Sequence, residues 1–331
     1  MPVKIAITIG DPAGVGPEVV LQAVAKLKNK KIIPIIIGRQ KVLSKYYPKL
    51  LDELKVINKN FDLTALCQGK YLYDFPLSLP LPKLGQGSIL TGQESRSYLE
   101  AALKLWNSKK IDALVTGPVN KEFVQKTGIN FRGHTEFLAE SLGNYQPFML
   151  MFSKKYRVLL VTTHLPLEKI RGSLTRKKIR ETIEIGYESI KAIDGEQVKM
   201  AITSLDPHAG DNGAIGLFDK QVTFSVVSEM KKKGINISGP WAADTLFMKE
   251  KWSEYNLVIA FYHDQGLIPF KMLAFDQGVN VTLGLPLVRT SVDHGTAYDL
   301  AGKGIAQFKS MTEAIKLAEK LFKLREGTKK F

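Results

Sequence analysis

Short apolar runs alternate with amphipathic segments along most of this 331-residue chain, and this alternation constrains the fold more than any other feature. The runs are apolar on both faces, which predicts strands that are buried on both sides. Such strands, separated by helices, are typical of an α/β fold with a parallel sheet covered by helices. The predicted strands are 3–9, 32–37, 113–116, 158–162, 199–203 and 257–261, and the predicted helices are 16–27, 95–107, 175–193, 218–233 and 310–324.

The length predicts two domains, since most domains contain roughly 100–200 residues. The single cysteine, Cys67, excludes an internal disulfide framework and favours a reducing compartment. The N-terminal segment is too short and too interrupted by polar residues for a signal peptide, and no apolar run is long enough to span a membrane. We therefore expect a cytoplasmic protein that binds no membrane.

The net charge of +15 comes from 47 Lys and Arg against 32 Asp and Glu. The lysines are spread along the chain, and the denser groups at 28–31 and 231–233 lie near predicted helix ends, where the helix dipole favours cations. No aromatic residues interleave with them as a stacking platform for bases would require. We expect a solvated basic surface and no nucleic-acid partner.

Three of the five histidines directly follow predicted strands: His164, His208 and His263. The carboxyl ends of parallel strands meet at one edge of a sheet, where ligands bind. Three neutral imidazoles at such an edge suit Zn²⁺ or Co²⁺ and leave positions open for a substrate. A packed or surface histidine is the alternative for each one alone. Carboxylates available to orient the rings are Asp206, Asp211 and Asp264.

Two segments bring Lys121, His134 and Thr135 to positions just before predicted helices. Amides at a helix N-terminus together with such side chains suit a carboxylate or phosphate. Alternatively, Thr135 caps the helix predicted at 136–141.

Near the C-terminus, Lys271, Asn280 and Arg289 stand among apolar neighbours. A charged group in such surroundings needs a partner. The partner is either a phosphorylated substrate, which Arg289 would bind bidentately, or an internal carboxylate.

The glycine-rich turn GDPAGVGPE at residues 10–18 enters a predicted helix. It matches neither the dinucleotide-binding nor the P-loop pattern. Asp11 and Glu18 disfavour an anion there, so we interpret the turn as a structural connection.

These motifs occur together as ITIGDPAGVGPEV, TGPVNKE, GHTEF, TTHLPL, PHAG, GPWAADTLF, YHDQGLIPFK and GVNVTLGLPLVRTSVDHGTAYDLAG. In this order they resemble the 4-hydroxythreonine-4-phosphate dehydrogenase family of vitamin B6 biosynthesis, from about residue 5 to residue 304. All five histidines lie inside them.

The resemblance implies an isocitrate/isopropylmalate dehydrogenase-like fold, with two α/β/α domains and a cleft between them. Residues 1–125 and 265–331 would form one discontinuous domain. Residues 126–264 would form the other, which would carry much of the metal site and of a homodimer interface. The active site would borrow groups across that interface.

Site residues also follow from the resemblance. It assigns one divalent metal (Zn, Co or Mg) to the three histidines His164, His208 and His263. It assigns substrate contacts to His134, Thr135, Lys271, Asn280 and Arg289. It assigns NAD or NADP to His294, Gly295, Thr296 and Ala297, which explains the lack of a Rossmann fingerprint. Candidate proton acceptors are Lys271, Asp244 and Asp264.

The implied reaction is oxidation of 4-phosphooxy-L-threonine at its 3-hydroxyl, followed by decarboxylation. Three alternatives stay open: a sister dehydrogenase acting on a phosphorylated sugar acid such as 4-phospho-threonate, a metal-dependent hydrolase, and a non-catalytic binding module. The chain departs from the family pattern at Asp206 and Asp211, where the family has Asn and Glu, and at Gln307 after the implied cofactor loop.

Overall fold

The computed structural model describes residues 1–328 and forms two compact units. The first unit comprises Met1–Tyr145 and Leu285–Lys323. The second unit comprises Gln146–Gly284 and, at the end of the described chain, residues 324–328.

The helices and strands follow one another in this order. The first stretch contains β1 (Val3–Thr8), α1 (Gly16–Ala25), β2 (Ile32–Gly38), α2 (Gln40–Tyr46), α3 (Pro48–Leu51), β3 (Lys55–Ile57), β4 (Tyr71–Asp74), α4 (Ile89–Asn107), β5 (Ala113–Thr116), α5 (Lys121–Gln125) and α6 (His134–Ser141). The middle stretch contains β6 (Phe148–Phe152), β7 (Arg157–Leu160), α7 (Leu167–Ser173), α8 (Arg176–Asp194), β8 (Met200–Thr203), α9 (Phe224–Lys232), β9 (Ile237–Trp241), α10 (Ala243–Leu246), α11 (Lys249–Trp252), β10 (Leu257–Ala260), α12 (His263–Ala274) and β11 (Val279–Leu283). The last stretch contains β12 (Val288–Val292) and α13 (Lys309–Thr328).

The sheet of the first unit has the strand order β3-β4-β2-β1-β5-β12, and every pair is parallel. Its central strands are buried on both faces, as the apolar runs predict. Crossover helices must cover both faces of a parallel sheet, and the buried faces of α1 and α4 serve this purpose. The carboxyl ends of β5 and β12 therefore lie side by side.

The sheet of the second unit has the order β11-β6-β7-β10-β8-β9. Strands β7, β10, β8 and β9 pair in parallel, whereas β6 pairs antiparallel with both β11 and β7. The expectation of a wholly parallel sheet is thus wrong for β6 and β11. A tight turn joins β6 directly to β7, closed by Ser153 N donating to Tyr156 O at 2.9 Å, and such a turn permits only antiparallel pairing.

The unit boundaries differ from those predicted. Residues 126–145 lie in the first unit and residues 265–284 in the second, which reverses both assignments. The reason is local packing: α12 rests on β7 and β10, and β11 pairs with β6, so both elements stay with the second unit.

Helix α12 begins at His263, in a segment for which the sequence analysis predicted no helix. Gly266 permits its close packing, because a Cβ there would lie 2.6 Å from Val158 Cγ1 and 2.9 Å from Leu160 Cδ2. In the part of the chain that the structure describes, no helix combines the length and apolarity needed to cross a bilayer.

Candidate active site

The three predicted metal-binding histidines all lie in the second unit, at one edge of its sheet. His164 follows β7, His263 begins α12 directly after β10, and His208 follows β8. The ring centroids of His164 and His263 are 5.6 Å apart. All three histidines therefore follow neighbouring parallel strands, β7, β10 and β8, and of these only His164 and His263 have a described ring contact.

The loop that carries His208 has an unusual backbone. Residues 208–212 all have positive φ, including φ 52° at His208 and φ 55° at Ala209. Non-glycine residues rarely adopt this left-handed region, and runs of it are rarer still. Gly210 suits the turn, because a Cβ there would collide with the carbonyl oxygen of Gly216. Such strained backbone is found mainly at functional sites.

Asp219 holds the start of this loop. Its buried carboxylate accepts hydrogen bonds from Leu205 N at 3.0 Å, Asp206 N at 2.9 Å and Thr223 Oγ1 at 2.8 Å. Burial raises the pKa of Asp219, and these three bonds oppose the shift. Sequence reasoning missed this residue, since an aspartate on a predicted helix carries no signal that its side chain points inward.

The three histidines are chemically suitable metal ligands, but one chain does not bring all of them together. Neutral imidazoles are suitable ligands for Zn²⁺ or Co²⁺. Within one chain, however, no three His, Cys, Asp or Glu side chains among residues 1–328 lie close enough together to hold a metal ion. The histidines of a single chain therefore do not complete a three-ligand site.

Two of the three candidate proton acceptors lie beside these histidines. Asp264 Oδ1 is 2.7 Å from His263 Nδ1, a contact that would orient the ring. A cavity of about 570 Å³ is lined by His208, Asp244, Asp264 and Gln265 among others. Lys271 lies eight residues further along α12 and lines a different cavity of about 480 Å³, with Lys154 and Lys155.

Arg289 is the centre of a second group, in the first unit. It lies on β12 and is 3% exposed. Its Nη2 donates to Thr116 Oγ1 at 2.7 Å, and its Nη1 lies 3.4 Å from Thr135 Oγ1. Burial lowers the pKa of Arg289 to about 10, so the guanidinium stays charged at neutral pH, and the carboxylate of Glu136 favours the charged form. A buried cation contacting hydroxyls suits an anionic ligand.

His134 and Thr135 form the first turn of α6, whose N-cap is Gly133. The alternative that Thr135 caps this helix is therefore wrong, because it already lies inside it. Among residues 1–328, the buried Nε2 atom of His134 has no hydrogen-bond partner. Burial holds the pKa of His134 well below its ordinary value, and the positive charges of Arg289 and Lys121 lower it further. Its imidazole is neutral at pH 7.

The glycine-rich turn at residues 10–18 anchors the loop after β12. The buried Asp11 carboxylate accepts hydrogen bonds from Tyr298 Oη at 2.7 Å and Thr91 Oγ1 at 3.1 Å. Glu18 accepts from Gly302 N and Ala306 N, both at 3.2 Å. These contacts agree with the structural interpretation of the turn.

The loop after β12 contains residues 294–297, to which the family resemblance assigns binding of the dinucleotide. The carbonyl oxygen of Thr296 accepts from Val15 N at 2.9 Å, and Ala297 has a positive φ of 38°. Gly295 is exposed, and the buried Nε2 of His294 has no hydrogen-bond partner in the part of the chain that the structure describes. Asn280, predicted as a substrate contact, lies on β11 in the second unit, and its buried Oδ1 accepts no hydrogen bond from any described residue.

Residues 30–318 match the family model described as pyridoxal phosphate biosynthetic protein PdxA. The chain belongs to this family. The PdxA resemblance drawn from the motifs is thereby confirmed.

Similar PdxA-type proteins carry two different names. A 4-hydroxythreonine-4-phosphate dehydrogenase from Sulfurihydrogenibium sp. (strain YO3AOP1) is 40% identical over 98% of this chain and all of its own length. A D-threonate 4-phosphate dehydrogenase from Pectobacterium atrosepticum is 35% identical over 96% of this chain and 98% of its own.

Solved structures agree with the fold prediction. The crystal structure of 4-hydroxythreonine-4-phosphate dehydrogenase from Klebsiella pneumoniae superposes with a TM-score of 0.83 and 32% identity, covering 97% of this chain and 98% of that one. A β-decarboxylating dehydrogenase from Thermococcus kodakarensis, with a TM-score of 0.51 and 16% identity, covers 95% of this chain and 82% of that one and shares the fold alone. The predicted fold class is confirmed.

Proposed function

We propose that the protein oxidises 4-phosphooxy-L-threonine at its 3-hydroxyl, with NAD⁺ or NADP⁺ as hydride acceptor, in vitamin B6 biosynthesis. The C3 hydroxyl loses a hydride to the nicotinamide and a proton to a base, giving a ketone. The C1–C2 bond then breaks, CO₂ leaves, and protonation of C2 gives 3-amino-2-oxopropyl phosphate. The observation that carries this proposal is the buried, charged Arg289 with Thr116 and Thr135, a site for an anionic group in a dehydrogenase family.

Each residue group receives a role in this proposal. Arg289 and Thr135 bind an anionic end of the substrate, and the neutral His134 donates or accepts one hydrogen bond at its unpaired Nε2. Lys271 and Asn280 complete the substrate contacts. Orientation of this kind supplies a large part of the rate enhancement of enzymes.

His164, His208 and His263 would hold one divalent metal. A metal in this position supplies a Lewis acid, which favours loss of the hydroxyl proton and stabilises negative charge on oxygen. Because one chain's described residues do not bring three ligands together, we propose that a second copy completes the set.

Asp264, Asp244 and Lys271 are the candidate proton acceptors. Both aspartates line the cavity that contains His208. Asp264 contacts His263, which suits orientation of the ring, whereas the Asp244 carboxylate accepts from Thr245 N beside it. We therefore favour Asp244 over Asp264 for proton transfer. The dinucleotide would lie against residues 294–297, which the buried Asp11 and Glu18 support.

The protein is proposed to act as a homodimer. Ile268, Met272 and Phe275 are 58%, 80% and 57% exposed and recur at helical spacing on α12 and the turn after it. An apolar stripe of this kind is typical of a surface that a partner covers. We assign the protein to the cytoplasm, since its one cysteine is free and it needs no oxidising compartment.

NADH absorbance tests the proposal. Protein stripped of metal with a chelator is mixed with NAD⁺ or NADP⁺ and 4-phosphooxy-L-threonine, with and without Zn²⁺, Co²⁺ or Mg²⁺. We expect reduced nicotinamide and CO₂ in equal amounts, only when metal is present. Turnover that is unaffected by chelation would contradict the metal assignment, and NADH without CO₂ would contradict the decarboxylation.

The second candidate substrate is D-threonate 4-phosphate, which carries a hydroxyl where 4-phosphooxy-L-threonine carries an amine. The Pectobacterium relative named for it favours testing this compound. The ratio of kcat/KM for the two compounds decides between them. A ratio above about tenfold for the hydroxy acid, equal to about 1.4 kcal/mol of transition-state binding, would replace the vitamin B6 assignment.

A further inference from the structure

The side chain of Gln265 joins the ends of two neighbouring strands. Its Oε1 accepts hydrogen bonds from Phe261 N and from Thr203 Oγ1, both at 2.8 Å. Its Nε2 donates to Ser204 O at 2.8 Å. Phe261 directly follows β10, and Thr203 ends β8, so one amide connects the two chain segments that lead to His263 and His208.

These bonds begin where the backbone pairing of the two strands stops. Strands β10 and β8 pair from Leu257 with Met200 to Ile259 with Ile202. Beyond that point the strands diverge toward their histidines, and the Gln265 amide takes the place of further ladder bonds. An amide is required, because only a group with both an acceptor oxygen and a donor nitrogen can make this set of bonds.

The chain segment that leads to His164 is also connected to Phe261. Thr162, two residues before His164, donates to Phe261 O from its backbone N at 3.0 Å and from its Oγ1 at 2.6 Å. Phe261 is thus held through its carbonyl on the β7 side and through its N–H on the β8 side. All three segments that lead to histidines are linked through Phe261 and Gln265.

We propose that Gln265 is a positioning residue of the metal site: it fixes the mutual spacing of the three histidine-bearing segments of its own chain, so that each copy presents its ligands in defined positions to a site shared with the second copy. This inference rests on the proposed function, since it assumes that these histidines bind a metal. Ligand spacing must hold within a fraction of an ångström for tight binding, so residues that orient ligands affect metal affinity strongly. Loss of the amide would loosen the spacing without removing any ligand.

The test compares two variants of the full-length protein. Gln265→Met keeps the length of the side chain and removes all three bonds. Asn256→Leu is the matched control: Asn256 bonds to Lys199 N at 2.8 Å and to Asp194 Oδ2 at 3.0 Å, at the opposite ends of the same two strands. Zn²⁺ affinity is measured against a competing chelator, the visible spectrum of the Co²⁺-loaded protein reports ligand geometry, and thermal unfolding of the metal-free protein reports the fold.

We expect Gln265→Met to weaken Zn²⁺ binding by roughly 10–100-fold and to alter the Co²⁺ spectrum. Asn256→Leu should lower thermal stability to a similar degree with unchanged affinity and spectrum. Equal Zn²⁺ affinities in the wild type and Gln265→Met would overturn the inference while leaving the metal site intact. A wild-type protein that takes up no Zn²⁺ or Co²⁺ would overturn the metal assignment itself, and this inference with it.

Gln265→Glu serves if the methionine variant does not fold. It keeps both acceptor bonds but sets a carboxylate oxygen against Ser204 O. We expect a loss of Zn²⁺ affinity in this variant as well, and an affinity equal to that of the wild type would count against the role of the amide.

Discussion

At the scale of single residues, the first unit contains a buried cation in a setting that suits an anion. Arg289 lies on a strand, is 3% exposed, and contacts two threonine hydroxyls. A guanidinium presents two parallel N–H groups to a carboxylate or phosphate, whereas an ammonium presents a single point of charge. Geometry as well as charge is therefore expected to matter here.

Replacing Arg289 by lysine should raise the KM for the phosphorylated substrate by about tenfold or more, because a charge-assisted hydrogen bond is worth about 1.5–3 kcal/mol. Steady-state kinetics measure this change. Arg157→Lys is the control, since Arg157 is also buried but pairs with Asp194 in the second unit. That control should lose stability and keep its KM; an unchanged KM in Arg289→Lys would contradict the substrate role.

His134 should make stability depend on pH. Its pKa in the folded protein lies below the ordinary value of 6.5, so the folded state binds fewer protons than the unfolded state under acidic conditions. The free energy of unfolding therefore falls as pH drops below about 6.5, by up to roughly 1.4 kcal/mol per pH unit.

Denaturant unfolding of the wild type and of His134→Gln between pH 5 and 8 measures this contribution. The stability difference between the two proteins should be constant above about pH 7 and should shift in favour of the variant at lower pH. A difference that does not change with pH would show that His134 protonates equally in both states.

Charged side chains and histidines were easier to single out from the sequence than the neutral side chains that contact them or their neighbours. Arg289 and the three histidines were recognised because a charge in apolar surroundings or an imidazole at a strand end is unusual. Thr116 and Gln265 were missed because their residue types are common in every environment. Only their contacts distinguish them.

At the scale of helices and strands, α4 shows how local sequence sets an element's start. The sequence predicted that this helix begins at residue 95, but it begins at Ile89. The earlier start follows from a capping box formed by Ser88 and Thr91. Ser88 Oγ accepts from Thr91 N at 3.2 Å, and Thr91 Oγ1 accepts from Ser88 N at 3.0 Å.

Ser88→Ala should lower the free energy of unfolding by about 1 kcal/mol, since it removes one half of the box. Ser97→Ala on the same helix is the control, because Ser97 is mid-helix and its hydroxyl donates to Gln93 O at 2.9 Å instead of capping the helix end. Urea unfolding measures both variants. A loss in Ser97→Ala as large as in Ser88→Ala would argue against a specific capping effect.

The six predicted strands all form, with ends that differ from the prediction by at most two residues, because short apolar runs bounded by turn residues indicate strands buried on both faces. Helix α12 was not predicted, since Gly266 and Pro269 both disfavour helix interiors. Tertiary packing outweighs that preference: the missing Cβ of Gly266 lets the helix lie directly on β7. Such an override depends on contacts far apart in sequence, which local patterns do not report.

At the scale of the whole molecule, the proposed sharing of the metal site between two copies has a direct test. His208→Ala and His263→Ala each lack one ligand and should be inactive alone. A hybrid dimer contains one chain of each variant and has two sites. If each site takes these two ligands from different chains, one site has both ligands and the other site lacks both. Random mixing should then restore about a quarter of the wild-type sites.

Metal content and activity after co-refolding the two variants measure this recovery, with each variant refolded alone as the control. Recovery near zero, in a sample that sedimentation shows to be dimeric, would mean that both ligands come from the same chain. The family resemblance implied a discontinuous unit, but the boundaries drawn from it lie about 20 residues too early, because the sequence has no signal for which sheet α12 and β11 would join.

The second unit interrupts the first in sequence, and this affects the order in which the protein is made. When the ribosome has reached Gly284, every strand of the second unit has been synthesised, whereas the first unit still lacks β12, Arg289 and α13. Nascent domains fold from the N-terminus as their residues emerge. Arg289, the arginine proposed to bind the anionic group, thus arrives among the last elements, so an incomplete chain that ends at Gly284 lacks the proposed anion site.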